Sequence, residues 1–214
     1  DNVIAVVVQP GVEEKDAGCT EYDRTAAQEL MAAIKDYDHL IYEGHSTDYQ
    51  TKYKLRELVE VGVGILKVGP GLTYAAREGL FALAYMEEAD KTIPEGRKSH
   101  FIQILDEAMV KDSKYWGKHY HGNQNDQAFK RKFSFSDRSR SYMPSPEVEE
   151  ARERMIANFK EYGINLATLS QFMPLQYTKV REGELDCDAE ALIKDKVKYT
   201  INEYMYATRQ QMLG

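Results

Sequence analysis

Cysteine is scarce in this sequence: Cys19 and Cys187 stand far apart and form no CxxC pair, which argues against a disulfide scaffold and against a thiolate zinc site. Long basic runs are missing too. Lys and Arg number 28 against 35 Asp and Glu, so the chain is net acidic and affinity driven by nucleic-acid phosphates is not expected. No apolar run approaches the ~20 residues that a bilayer span needs, so neither nucleic acid nor membrane is an expected partner and a cytoplasmic setting is expected. No Walker A, GxSxG or HExxH pattern occurs, which leaves an ATP-dependent kinase reading without support.

What is present describes a globular protein. The chain has 214 residues, 43% of them hydrophobic, with dispersed charge, enough to bury a sizeable core. It opens DNVIAVVVQPG, without an initiator Met, and Val3 to Val8 is a continuous apolar run. Such a run, lacking alternation, predicts a strand buried on both faces of a parallel sheet. A parallel strand needs neighbours. The expectation is therefore a fragment, a processed product or one piece of a split protein, partnered by the missing amino-terminal half of its fold or by further copies of itself.

Two more strands follow, at His39 to Glu43 and Val63 to Val68, each leading through a short polar loop into a helix. Helices are predicted after Thr25, with Gln28 completing a capping box and Leu30, Ile34 and Tyr37 buried, after Thr51, and after Thr73. Strand, loop and helix recur three times, which implies parallel strands joined by right-handed crossovers. From about Ser99 onward only helices are predicted. Phe101 to Met109 mark one, and Val148, Ala151, Met155 and Phe159 another, begun by Ser145 with Pro146 at its first position. Asp188 caps the last, carried by Ile193, Val197, Ile201 and Tyr204.

The loops after the second and third strands are EGHSTDYQT and VGPGLT. Glycines allow close backbone approach to an anion, hydroxyls add donors, and a helix N-terminus adds partial positive charge. Gly44, Ser46, Thr47, Gly69, Gly71 and Thr73 are thus candidate phosphate ligands. Either loop alone is also explained by glycines and Thr caps turning the chain. Glu13, Glu43, His45 and Asp48 are candidates for a metal or acid–base site, since imidazole and carboxylates at strand ends can converge on a divalent ion. His119 and His121 read as a surface loop.

The segments AVVVQPGVE, EGHSTDYQT, LRELVEVGVGILKVGPGLTYAAREGLFALAYMEE and FSFSDRSRSY resemble the non-catalytic, accessory subunit of class II D-tagatose-1,6-bisphosphate aldolase. The resemblance implies an α/β chain forming the carboxyl-terminal part of a (β/α)8 TIM barrel, with residues 1–96 as the last strand–helix units and residues 97–214 as a helical appendage. It implies a catalytic aldolase subunit as partner and sugar phosphate as ligand, in tagatose, galactitol or N-acetylgalactosamine catabolism. It also implies zinc, with His45 in a ligand place and Glu13 where the catalytic relatives carry His. With that ligand changed and the catalytic acid lying outside the chain, no catalytic residue is expected here. The other function class is a metal-dependent ketohexose or ketose-phosphate epimerase that uses Glu13 and His45 as ligands.

Overall fold

Three short parallel strands organise the beginning of the chain. In the computed structural model, which describes residues 3–210, β1 (Ala5–Val8), β4 (Ile41–Gly44) and β5 (Val63–Leu66) form one sheet in the order β1-β4-β5. Ala5 pairs with Ile41 and Val8 with Gly44, while Tyr42 pairs with Val63 and Gly44 with Leu66 across a bulge between Tyr42 and Glu43. The fold is α/β, and the sheet is open among the described residues.

β1 departs from the expectation of a strand buried on both faces. Val6 and Val7 are 41% and 56% exposed, because among the described residues only β4 pairs with β1 and its apolar run is not covered. The turn-rich stretch that follows β1 is not irregular. It holds a hairpin of β2 (Glu13–Lys15) and β3 (Gly18–Thr20), with Glu13 opposite Thr20.

α1 (Gln28–Ala33) is shorter and differently faced than its sequence suggests. Asp23, not Thr25, caps its approach, accepting the N–H groups of Thr25 and Ala26 at 2.8 and 3.1 Å. Its buried face is Ala27 and Met31, whereas Leu30 and Tyr37 are exposed, since one and a half turns cannot sustain a full stripe. α2 (Lys52–Glu60) starts after Thr51 as predicted: Thr51 accepts the Lys54 N–H, Leu55 and Leu58 are fully buried, Val59 is partly buried, and Gly62 follows the helix at φ 109°.

Two compact units result, one formed by Asp1–Leu72 with Tyr199–Gly214 and the other by Thr73–Lys198. The first has a core of Val12, Tyr22, Met31, Tyr42, Leu55, Leu58 and Val63, joined by Ala207 from the last turn of the chain's final helix. The second is helical: α3 (Gly71–Ala89), which starts two residues before it, α4 (Phe101–Lys111), α5 (Gln124–Phe133), α6 (Pro146–Tyr162), α7 (Leu166–Phe172), α8 (Pro174–Glu182) and most of α9 (Ala189–Ala207). Leu83, Met86, Phe101, Leu105, Met155, Leu169 and Leu192 lie at its centre.

In α6 all four predicted positions, Val148, Ala151, Met155 and Phe159, are buried. Pro146 starts that helix as expected, although the Ser145 hydroxyl donates back to the Tyr142 carbonyl at 2.7 Å instead of capping. Asp188 does cap α9, through the Ala191 N–H at 3.0 Å. Among the described residues no helix is long and apolar enough to cross a membrane.

Candidate functional site

β4 ends at Gly44, and the loop beyond it is fixed at almost every residue. The Thr47 hydroxyl donates to the Lys67 carbonyl at 2.8 Å, and the Tyr204 hydroxyl donates to the Thr47 carbonyl at 3.1 Å. Gln50 bridges two backbone groups near the hairpin, accepting the Tyr22 N–H and donating to the Thr20 carbonyl, both at 2.9 Å. Thr51 then caps α2. Ser46 and Tyr49 hold left-handed backbone at φ 56° and 63°, conformations that a loop tied down at Thr47 and Gln50 can impose on side-chain-bearing residues.

The central residue of this loop is Asp48, only 2% exposed. Its carboxylate accepts the Gly69 N–H at 3.0 and 2.9 Å and the Gly71 N–H at 2.7 Å. Those amides open α3, so a negative charge sits where the helix end presents unpaired donors and positive dipole. The approach of that carboxylate leaves little room for a side chain at either glycine. A Cβ on Gly71 would lie 2.8 Å from Asp48 Oδ1, and one on Gly69 would lie 3.2 Å from Oδ2.

The predicted anion ligands are thereby placed as follows. Gly44, Ser46, Thr47, Gly69 and Gly71 belong to one unit and lie on the two loops after β4 and β5. The Gly69 and Gly71 amides are held by Asp48, and Thr47 is fully buried. Ser46 accepts a long contact of 3.4 Å from Gln9 Nε2. Thr73 falls in the helical unit, where its hydroxyl donates to Asp137 Oδ2 at 2.7 Å; it lies inside the first turn of α3 and does not cap it.

The predicted metal ligands are distributed differently. His45 Nε2 lies 2.9 Å from Glu43 Oε1, both about one-third exposed. Glu13 is an exposed residue of the hairpin. A zinc centre takes three or four donors, and His45 with Glu43 supplies two, so these residues do not by themselves assemble such a centre. Elsewhere, Glu88, Glu95 and His100 bring ligand atoms within 4.8 Å of one another, all on the surface. The Lys98 ammonium reaches the same carboxylates, at 3.7 Å from Glu88 and 3.1 Å from Glu95, which makes this group an ion-pair network.

Several titrating groups are shifted by their surroundings. Burial pushes the Tyr204 phenol well above its ordinary range, against a smaller opposing effect of its hydrogen bond with Thr47. In the helical unit burial would raise the Asp195 carboxyl, but hydrogen bonds from Lys179 Nζ at 2.7 Å and Gln176 Nε2 at 2.9 Å, with the positive charge of Lys179, outweigh it and hold the group below the usual carboxylate range. Cys19 is raised by burial, then by the Glu21 charge, and both cysteines are free.

Residues 1–209 match the family described as D-tagatose-1,6-bisphosphate aldolase subunit GatZ/KbaZ-like. The chain belongs to this family. A crystal structure from Sinorhizobium meliloti 1021, described as a probable tagatose 6 phosphate kinase, superposes with a TM-score of 0.86 at 36% sequence identity. The match covers 96% of this chain and 52% of that one, so the chain spans about half the length of this relative.

Sequence reasoning had weighed Asp48 as a metal or acid–base group and missed its role as internal acceptor for the glycine loop. The available signal was the pairing of a lone acid in GHSTD with the donor-rich GPG. It also passed over Arg77, Asp137 and Glu87, buried charged residues that sit at ordinary helix or loop positions.

Proposed function

We propose that this chain is part of an accessory subunit of a D-tagatose-1,6-bisphosphate aldolase, one that stabilises and activates a catalytic partner in tagatose, galactitol or N-acetylgalactosamine catabolism. The family match along residues 1–209 carries this reading. Residues 1–96 then serve as the last strand–helix units of a (β/α)8 barrel and residues 97–214 as its helical appendage. Three consecutive parallel strands in sheet order β1-β4-β5 suit such a barrel segment. The exposed Val6 and Val7 suit an edge that receives a further strand, from the other half of the barrel or from a second copy.

The reading also places a sugar phosphate at the loops after β4 and β5, against Gly44, Ser46, Gly69 and Gly71. Asp48 already holds the last two amides, so a phosphate there must displace its carboxylate. Kinase activity, which the description of the solved relative names, is not extended to this chain, because this sequence carries no Walker A motif.

The test is reconstitution. The full-length protein is added to the catalytic aldolase subunit, and cleavage of tagatose-1,6-bisphosphate is followed together with the half-life of activity on warming. The expected result is a higher rate per catalytic subunit and a longer half-life, with no cleavage by the full-length protein alone. Equal rate and half-life with and without it would sink the accessory reading, and cleavage by the protein alone would replace it with an enzyme.

A further inference from the structure

The helical unit holds a cavity of about 330 Å³ lined by residues of α3, the end of α5, the α7–α8 corner and Lys196 of α9. Its size is that of a pocket for a small organic molecule. Phe81, Tyr85, Phe133, Phe172 and Leu175 give it apolar walls, and the Tyr85 and Phe172 rings stack at 5.8 Å. Four of these side chains, Tyr85, Phe133, Phe172 and Leu175, are 37–54% exposed, a concentration of large apolar groups around one opening.

The lining is not purely apolar: Glu78, Gln176 and Lys196 belong to it, and so does a buried cation, Arg77. Arg77 is 3% exposed, and its guanidinium lies over the Tyr74 ring at 4.3 Å and near Phe81 at 5.2 Å. Nε forms an ion pair with Asp137 Oδ1 at 2.9 Å, but Nη2 is buried and has no hydrogen-bond partner. A guanidinium carries five donors and no acceptor, and a buried donor left unmet costs the full desolvation of that group. Asp137 is already engaged by the Thr73 hydroxyl at 2.7 Å and the Ser139 hydroxyl at 2.8 Å. The other cation on the wall, Lys196, is paired with Glu78 at 3.2 Å. Arg77 lines the cavity, so a ligand that enters it can bring an acceptor to this guanidinium.

We propose that this cavity binds a small carboxylate with an aromatic or branched aliphatic body, its carboxylate on Arg77 Nη2 and its body among Phe81, Tyr85, Phe133, Phe172 and Leu175. A charged acceptor is favoured because a carboxylate–guanidinium bond is roughly twice as strong as a neutral one. A sugar phosphate is disfavoured because the polar side chains on the wall are engaged, Glu78 with Lys196 and Gln176 with Asp195, and the rest of the wall is largely aromatic. This ligand site is independent of the aldolase reading, and either can fail alone.

Isothermal titration of the full-length protein with phenylacetate, with 3-methylbutanoate and with uncharged benzyl alcohol tests it. The two carboxylates should bind and benzyl alcohol should bind at least roughly tenfold more weakly, a difference of one charge-assisted contact. Two variants check the location. Arg77→Lys keeps a cation beside Asp137 but removes Nη2, and Ala82→Phe fills the cavity from a residue that lines it. Both should lose carboxylate binding by about tenfold or more while retaining a cooperative thermal transition. No binding of either carboxylate to the unaltered protein, equal binding of benzyl alcohol, or undiminished binding in a folded Ala82→Phe variant would overturn the proposal.

Discussion

The rim loops of the sheet unit and the aromatic cavity of the helical unit invert what their sequences advertise. The rim has glycines, hydroxyls and a helix N-terminus, the ingredients of an anion site, yet its amide donors are answered internally by Asp48. The cavity is walled largely by aromatic and aliphatic side chains, yet Arg77 in its lining has a buried guanidinium nitrogen without a hydrogen-bond acceptor. Composition of a loop therefore says less about binding than whether its donors are already satisfied. A saturated site resists ligands because any newcomer must replace a hydrogen bond that exists, whereas an unsatisfied donor gains the whole of the bond it forms.

The strongest way to break this contrast is to remove the internal acceptor. Asp48→Ala leaves the Gly71 amide buried and unpaired at the start of α3, strips the Gly69 amide of its acceptor, and deletes the charge that faces the helix end. A loss of about 3–5 kcal/mol is expected, from two or three charge-assisted bonds and the unmet donors, read as the shift in a urea unfolding midpoint. Asp48→Asn should lose less, since an amide oxygen still accepts. Asp48→Asn also removes the negative charge that a phosphate must displace, so it should bind inorganic phosphate more tightly than the unaltered protein. If Asp48→Ala changes the midpoint by less than 1 kcal/mol-equivalent, about one neutral hydrogen bond, the rim is not saturated in the sense argued here.

Much of the frame was legible because it rests on local signals. Thr51 before an apolar stripe, Ser145-Pro146 before a long one, and apolar runs ending in glycine each announce an element from within a few residues. The stripe of α6 could be read in full because 17 residues repeat it over several turns. The six residues of α1 do not, and its face was misjudged in favour of Leu30 and Tyr37. The hairpin of β2 and β3 escaped because three-residue strands carry almost no periodicity and are held by pairing alone. The candidate site was legible as residues and not as partnerships. Asp48 meets Gly71 across 23 positions and Thr73 meets Asp137 across 64, and no spacing rule predicts either contact.

A smaller effect sharpens the other side of the comparison, by asking whether the helical unit is saturated away from Arg77. Asp195 is, with Lys179 and Gln176 on its two oxygens. Asp195→Asn should cost about 1.5 kcal/mol at neutral pH, one hydrogen bond to a charged group. The sign of its pH dependence follows from the depressed folded value. The carboxylate's stabilisation is present above the unfolded carboxyl range, about pH 4, and is lost as pH falls through the lower folded value. The unaltered protein and the variant should therefore converge in stability toward acid, measured as urea midpoints from neutral pH downward. A gap that widens in acid would contradict the ion-pair assignment.

The smallest effect is expected at the rim itself, at Tyr204. Its hydroxyl donates to the carbonyl of the fully buried Thr47, and Tyr204→Phe removes that donor while keeping the ring against its neighbours. The cost should be about 1 kcal/mol, the net worth of one neutral hydrogen bond whose acceptor is then left unmet. Because burial raises the Tyr204 phenol in the folded protein, its contribution is complete below the unfolded phenol value of about 10 and declines only as pH rises beyond it toward the folded value. The difference between Tyr204→Phe and the unaltered protein should thus stay constant from neutral pH to about 9 and shrink in stronger alkali. A Tyr204→Phe variant as stable as the parent throughout would mean that the Thr47 carbonyl finds another donor, and that the rim loop is held by fewer internal bonds than its distances imply.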